Sequence, residues 1–119
     1  MHERRRPVVY ISGPITKGNR NHNYHQACEA HRELMLVGFA PINPMLTMVM
    51  PCAWGSELPH QLWLECDFPL VERADAVLRL PGYSVGADAE LTHAENCGIP
   101  IFHGLDQLVA WRDGELEAA

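Results

Sequence analysis

The chain has 119 residues, enough for one hydrophobic core and too few for a separate substrate domain, so a single domain over 1–119 is expected. Its 9 Lys+Arg stand against 15 Asp+Glu, a net charge of −6, which argues against general nucleic-acid binding through many phosphates and leaves room for a small anion held locally. No apolar run approaches the roughly 20 residues that cross a bilayer, so neither a membrane span nor a membrane partner is expected.

Arg4-Arg5-Arg6 reads as part of a flexible basic tail over 1–6. The stretch VVYISGPITKG from Val8 to Gly18 follows. Val8, Val9 and Ile11 favour a pleated strand, Gly13 permits close backbone approach, and Pro14 ends the strand by removing a donor. Tyr24, Ala27, His31, Leu34 and Met35 recur at helical spacing and predict a helix over 21–37 closed by Gly38. A second short strand over 39–42 stops at Asn43-Pro44. Residues 44–59 set prolines among Met, Trp and Cys, the pattern of an ordered but irregular loop and a candidate lid. A helix over 60–72 should kink or restart at Pro69, with Asp67 or Phe68 as its cap. A third strand over 76–80 runs into a second Pro/Gly loop, and a helix over 85–97 follows, closed by Gly98. A strand over 100–102, a short helix over 105–111 and a flexible acidic tail over 113–119 complete the chain.

Strands alternating with helices imply right-handed crossovers, giving an α/β three-layer sandwich of flavodoxin or Rossmann type with a parallel sheet of four strands in the order 2-1-3-4. In that order the chain winds in opposite directions from strands 1 and 3. The crevice outside their carboxyl ends is the switch point where such sheets bind ligands. Both Gly/Pro loops, 10–18 and 81–90, should face one another there.

The run YISGP, then Asn43-Pro44, Asp67 ahead of Asp75, and LPGYSVGADAE together resemble the nucleoside 2-deoxyribosyltransferase-like superfamily, and within it the short, largely uncharacterised branch of phages and bacteria. The resemblance spans about residues 7–103. It implies breakage of an N-glycosidic bond in a nucleoside or nucleotide without a cofactor. The family's carboxylate nucleophile maps onto Glu90, its second acid, which helps the base depart, onto Asp67, and the tyrosine that orients the nucleophile onto Tyr10. By position alone Glu90 is a carboxylate in the first turn of its helix, held ionised by the dipole and free amides. Asp67 alone reads equally as a cap ahead of Pro69, and Asp75 as a turn or cap residue before a buried strand.

Ser12, Gly13, Pro14, Thr16, Lys17 and Gly18 would line the first loop, and Ser84 and Gly86 the second. Backbone amides, hydroxyls and a lysine suit a 5′-phosphate. The nucleoside-level transferases carry an Asp for the sugar 5′-hydroxyl where this chain has Ser84, and losing that charge makes room for phosphate, as in the related deoxynucleoside 5′-monophosphate N-glycosidases. Absence of that Asp points to water as acceptor. Two other readings stay open. PGYSVGADAE also resembles the PGGxGTxxE loop of cytokinin-type phosphoribohydrolases, and a pocket without turnover would make a nucleotide sensor.

The spacings His22/His25 and Glu90/His93 lack further ligands, so no metal is expected. Trp54 and Trp63 could stack on a base, but apolar packing beneath the loop is the preferred reading. Cys28, Cys52, Cys66 and Cys97 are scattered, in a chain without a charged-then-apolar leader, and read as reduced core thiols of a cytoplasmic protein. Apolar Leu62, Trp63, Leu70 and Leu91 on the helices of Asp67 and Glu90 suggest a homodimer or higher homo-oligomer completing the pocket.

Overall fold

The computed structural model describes residues 5–115. Four parallel strands, β1 (Val8–Ser12), β2 (Ala40–Ile42), β3 (Ala76–Arg79) and β4 (Ile101–Phe102), form one sheet in the order β2-β1-β3-β4. Around it lie α1 (Arg20–Leu36), a 3₁₀ helix (Pro44–Val49), α2 (Met50–Trp54), α3 (His60–Arg73), α4 (Val85–Asn96) and α5 (Leu105–Arg112). The α/β architecture and strand order are those read from the alternation of elements. No helix among the described residues is long and apolar enough to cross a membrane.

The period-two alternation of β1 distributes its residues between two cores. Val9 and Ile11 join Ala27, Ala30 and Leu34 of α1 and Leu108 of α5 on one face, while Tyr10 joins Val71 of α3, Val77 of β3 and Ala94 of α4 on the other. Ser12 therefore shares a face with Tyr10, toward α4. By the same alternation Arg79 lies on the α4 side of β3.

Several local expectations are corrected. The buried stripe of α1 is Asn23, Ala27, Ala30 and Leu34, whereas Tyr24 and Met35 are exposed. Residues 44–59 are not an irregular loop but begin with two helical segments, seated by the buried Met45. Helix α3 runs through Pro69 without restarting. Glu65 and Pro69 lie on its exposed side, where water can take the carbonyl that proline leaves unpaired. Asp67 is thus a mid-helix residue and caps nothing. Cys52, Cys66 and Cys97 are exposed and Cys28 half-buried, so these thiols are not core.

At the amino end of the sheet, Asp75 joins β1 to β3, its Oδ2 accepting from the Val8 amide at 2.7 Å while its own amide donates to the Val8 carbonyl at 2.8 Å. Arg6, assigned to the basic tail, is anchored: its guanidinium donates to the carbonyls of Met35 and Phe39 at 3.0 and 2.9 Å. The amides of Asp113, Gly114 and Glu115 donate to the carbonyls of Val109, Trp111 and Ala110, so the start of the acidic tail winds on from α5. The remainder of both tails, 1–4 and 116–119, lies outside the described residues.

The loops after β1 and β3 meet at the carboxyl end of the sheet. A Cβ on Gly13 would stand 3.0 Å from Leu80 Cβ, and one on Gly82, whose φ is +118°, would stand 2.7 Å from Pro14 Cγ. Gly82→Ala should therefore lower stability by about 3 kcal/mol through strain plus clash. Gly98→Ala, at φ +74° with open space around it, should cost only about 1 kcal/mol. Equal losses in urea unfolding would show that the loops do not press together.

Candidate active site

Glu90 lies on the stripe Ala87, Glu90, Ala94 by which α4 packs on the sheet. The small alanines let the helix approach closely and bring the carboxylate onto β1. Tyr10 Oη donates to Glu90 Oε2 and Ser12 Oγ to Glu90 Oε1, both at 2.7 Å. These contacts close over 80 and 78 residues of sequence. Glu90 is 7% exposed and Tyr10 fully buried.

Glu90 does not sit in the first turn of α4, which begins at Val85 behind the cap Ser84, but in the second. The expectation that the dipole keeps it ionised is overturned. Burial is the largest influence and outweighs the lowering by Tyr10 and Ser12, and with the Asp67 charge it pushes the carboxyl from the ordinary 4.5 up to about 7. Burial likewise raises Asp67, against hydrogen bonding to Glu90 and Tyr10 and the charge of His60. The two carboxyl groups titrate as a pair and hold one proton between them over part of the pH range. Burial, then Glu90 and Asp67, push the Tyr10 phenol far above its usual range, so it is a permanent donor.

Helix α3 supplies the opposite wall. His60, Leu64 and Asp67 recur at i, i+4, i+7, and all three, with Trp63, line a cleft of about 480 Å³ whose floor includes Glu90. Gly13, Pro14, Thr16 and Lys17 of the first loop and Ser84 and Gly86 of the second line it as well. The two loops face each other, as the strand order required. Tyr10 and Ser12 stand behind Glu90 rather than in the wall, and Gly18 is not brought to the cleft; its φ of +73° turns the backbone ahead of α1. Ser84 Oγ accepts from the Ala87 amide at 3.0 Å, capping α4 at the cleft's edge. A Cβ on Gly86 would stand 3.1 Å from the His60 ring, so a small residue there keeps α3 and α4 close.

Sequence reasoning missed several residues. Arg20, Asn43 and His60 line the cleft. Trp63 lines it too and stacks on the half-exposed Trp54, ring centroids 6.0 Å apart and planes 17° apart, so the pair is not packed beneath a loop. Asn23 Nδ2 donates to the carbonyls of Ile15 and Lys17 at 3.2 and 2.7 Å, fixing the first loop. Arg79, almost fully buried, donates to the carbonyls of Leu80 and Gly82 and pairs with Asp88 at 3.3 Å, fixing the second. Both had a legible signal: a polar residue on an otherwise apolar stripe.

A family model described as a domain of unknown function, DUF4406, matches residues 7–103. The chain belongs to this family. Among solved structures, the DUF4406 chain is similar to the 2-deoxyribosyltransferase of the psychrotolerant bacterium Bacillus psychrosaccharolyticus, with 15% identity, 91% of this chain and 90% of that chain covered, and a TM-score of 0.56. The DUF4406 chain thus shares its fold with that enzyme. No curated protein matches it.

Because Glu90 binds its proton more tightly folded than unfolded, the folded chain holds more protons between about pH 4.5 and 7. Its contribution is complete below the unfolded value and is lost as pH rises through the folded one. Denaturant unfolding at about pH 5 and about pH 8 should show wild type losing up to roughly 3 kcal/mol across this window and Glu90→Gln losing far less. Parallel loss in both proteins would mean that Glu90 is not the group responsible.

Proposed function

We propose that this protein breaks the N-glycosidic bond of a nucleoside 5′-monophosphate or nucleoside, releasing the base through a glycosyl ester on Glu90. The observation that carries this reading is the Glu90 carboxylate, gripped on both oxygens by Tyr10 and Ser12 at the floor of a cleft with Asp67 in the facing wall. The similar deoxyribosyltransferase supports the same class of chemistry.

In the reactive form the shared proton is on Asp67 and Glu90 is the carboxylate. An oxygen of Glu90 attacks the anomeric carbon as the carbon–nitrogen bond breaks. The electron pair leaves with the base, which takes the proton from Asp67. The two donors on Glu90 keep its carboxylate oriented while charge builds on the sugar carbon, as in carboxylate-assisted glycoside cleavage. Water then attacks the same carbon, gives its proton to Asp67 and frees Glu90.

Lys17 and Arg20 at the cleft, with the amides that open α4 behind Ser84, supply a positive edge for a 5′-phosphate. Glu57 also lines the cleft. Trp63, on which Trp54 stacks, offers a flat apolar surface for a base. The 3₁₀ helix and α2 form the lid of this reading. Leu62 and Leu70, each 41% exposed on α3, are the apolar patch for a homodimer, whereas Leu91 packs into the core. Exposed thiols suit the reducing cytoplasm.

Incubation with a panel of nucleosides and 5′-monophosphates, followed by chromatography for free base, tests the reading directly. On any substrate found, Glu90→Ala should abolish release and Asp67→Asn should slow it by about 10² to 10⁴. Near-normal turnover in Glu90→Ala would overturn the mechanism. The wild-type rate should fall on the alkaline side, as Asp67, whose carboxyl burial raises, loses the proton that the base must take. Asp67→Asn removes both the acid and the neighbouring charge, so its residual rate should instead rise with pH through a lowered Glu90 value and then stay level. An Asp67→Asn profile that keeps the alkaline fall would exclude Asp67 as the acid.

Ser84→Asp preserves a helix cap but adds negative charge beside the proposed phosphate. By calorimetry it should weaken 5′-monophosphate binding more than nucleoside binding; equal changes would remove the phosphate from this position.

A further inference from the structure

Away from the cleft, on the side of the molecule where α3 and α4 pack together, three metal-ligating side chains of different chemistry converge. His93 Nε2 lies 2.7 Å from Glu72 Oε2 and 3.8 Å from Cys97 Sγ, and the three ligand atoms lie within 4.8 Å of one another. None of the three lines the cleft. We propose that Glu72, His93 and Cys97 form a binding site for a divalent transition-metal ion of the zinc class.

The dimensions suit such an ion. With zinc bonds of about 2.3 Å to sulfur and 2.0–2.2 Å to nitrogen and oxygen, ligand atoms at two corners of a tetrahedron stand about 3.4–3.6 Å apart. The Cys97–His93 separation is already near this edge. The Glu72–His93 hydrogen bond is shorter, so metal entry replaces the proton between them and opens that edge by about 0.7 Å. Both side chains are accessible, at 45% and 25% exposure, and neither is embedded in the core.

The ring of His93 is positioned from behind. Phe68 stacks on it with centroids 4.5 Å apart and planes 11° apart, holding Nε2 toward Glu72 and Cys97. His93 and Cys97 are one turn apart at the end of α4, and Cys97 is its C-cap. The partial negative charge of a helix carboxyl terminus favours a cation there and opposes a lone thiolate. A divalent ion also neutralises the carboxylate and thiolate together, whereas the bare pair would repel. Three protein ligands leave one tetrahedral corner for water.

This arrangement explains why Glu90 and His93 do not form a site with each other. Glu90 is on the sheet side of α4 and His93 on the α3 side, so the sequence spacing joins groups that face different partners. A metal at Glu72, His93 and Cys97 would instead fasten α3 to α4, the two helices that carry Asp67 and Glu90. Binding requires Cys97 to lose its proton, so loading releases acid and strengthens with pH.

The test uses the reduced, chelator-treated full chain titrated with Co²⁺. One equivalent per chain should produce a thiolate-to-cobalt charge-transfer band in the near ultraviolet together with four-coordinate visible bands, and Zn²⁺ should displace both. Cys97→Ser should lose the charge-transfer band, His93→Gln should weaken Co²⁺ binding at least about tenfold, and Cys66→Ser should leave the band unchanged. Zn²⁺ should raise the Tm of wild type and Cys66→Ser but not of Cys97→Ser. Absence of the band in the full chain, or its persistence at equal intensity in Cys97→Ser, would overturn the site. Neither readout depends on base release.

Discussion

The constraint on which the remaining geometry depends is the burial of one carboxylate against an inner strand of a parallel sheet. Glu90 occupies a position on α4 that packing alone would fill with an aliphatic side chain, between Ala87 and Ala94. Removing a carboxylate from water is costly unless hydrogen bonds replace the solvent. The alternation of β1 supplies two such donors, since Tyr10 and Ser12 share the face of the strand that looks at α4. Even so the compensation is incomplete, which is why burial governs the proton affinity of Glu90.

Around that group the chain braces what would otherwise be mobile. Two Gly/Pro loops end the strands on either side of the switch point, and each is tied by a buried polar side chain from a neighbouring element: Asn23 for the first and Arg79 for the second. The loops also press on each other at Pro14 and Gly82. A buried arginine and a buried asparagine add little net stability once desolvation is counted. Their effect is to choose one loop conformation at the cleft.

Much of this was legible in the sequence. Strand order followed from the alternation of elements, and the convergence of the two loops followed from strand order. Glu90, Asp67 and Tyr10 were marked by the resemblance, and Ser12, Gly13, Pro14, Thr16, Lys17, Ser84 and Gly86 by the loops they occupy. What escaped was whatever depends on competition between forces of similar size. A carboxylate near a helix start reads as dipole-stabilised, and only the packing of α4 on β1 reveals that desolvation prevails. Pro69 reads as a break, and only the exposure of its side of α3 shows that an unpaired carbonyl there is tolerable. His93 and Cys97 lack metal spacing because their third companion, Glu72, comes from another helix.

The stacked indoles of Trp54 and Trp63 have a use apart from any chemistry. One ring belongs to the cleft wall on α3 and the other to α2, while Trp111 packs on Phe102, outside the cleft lining. Excitation of the chain thus divides between a coupled pair that senses the cavity and a single indole that does not. Movement of α2 relative to α3, or a flat ring slipping against Trp63, would alter the emission of the pair and leave the third as an internal reference. The fold carries its own optical gauge of occupancy.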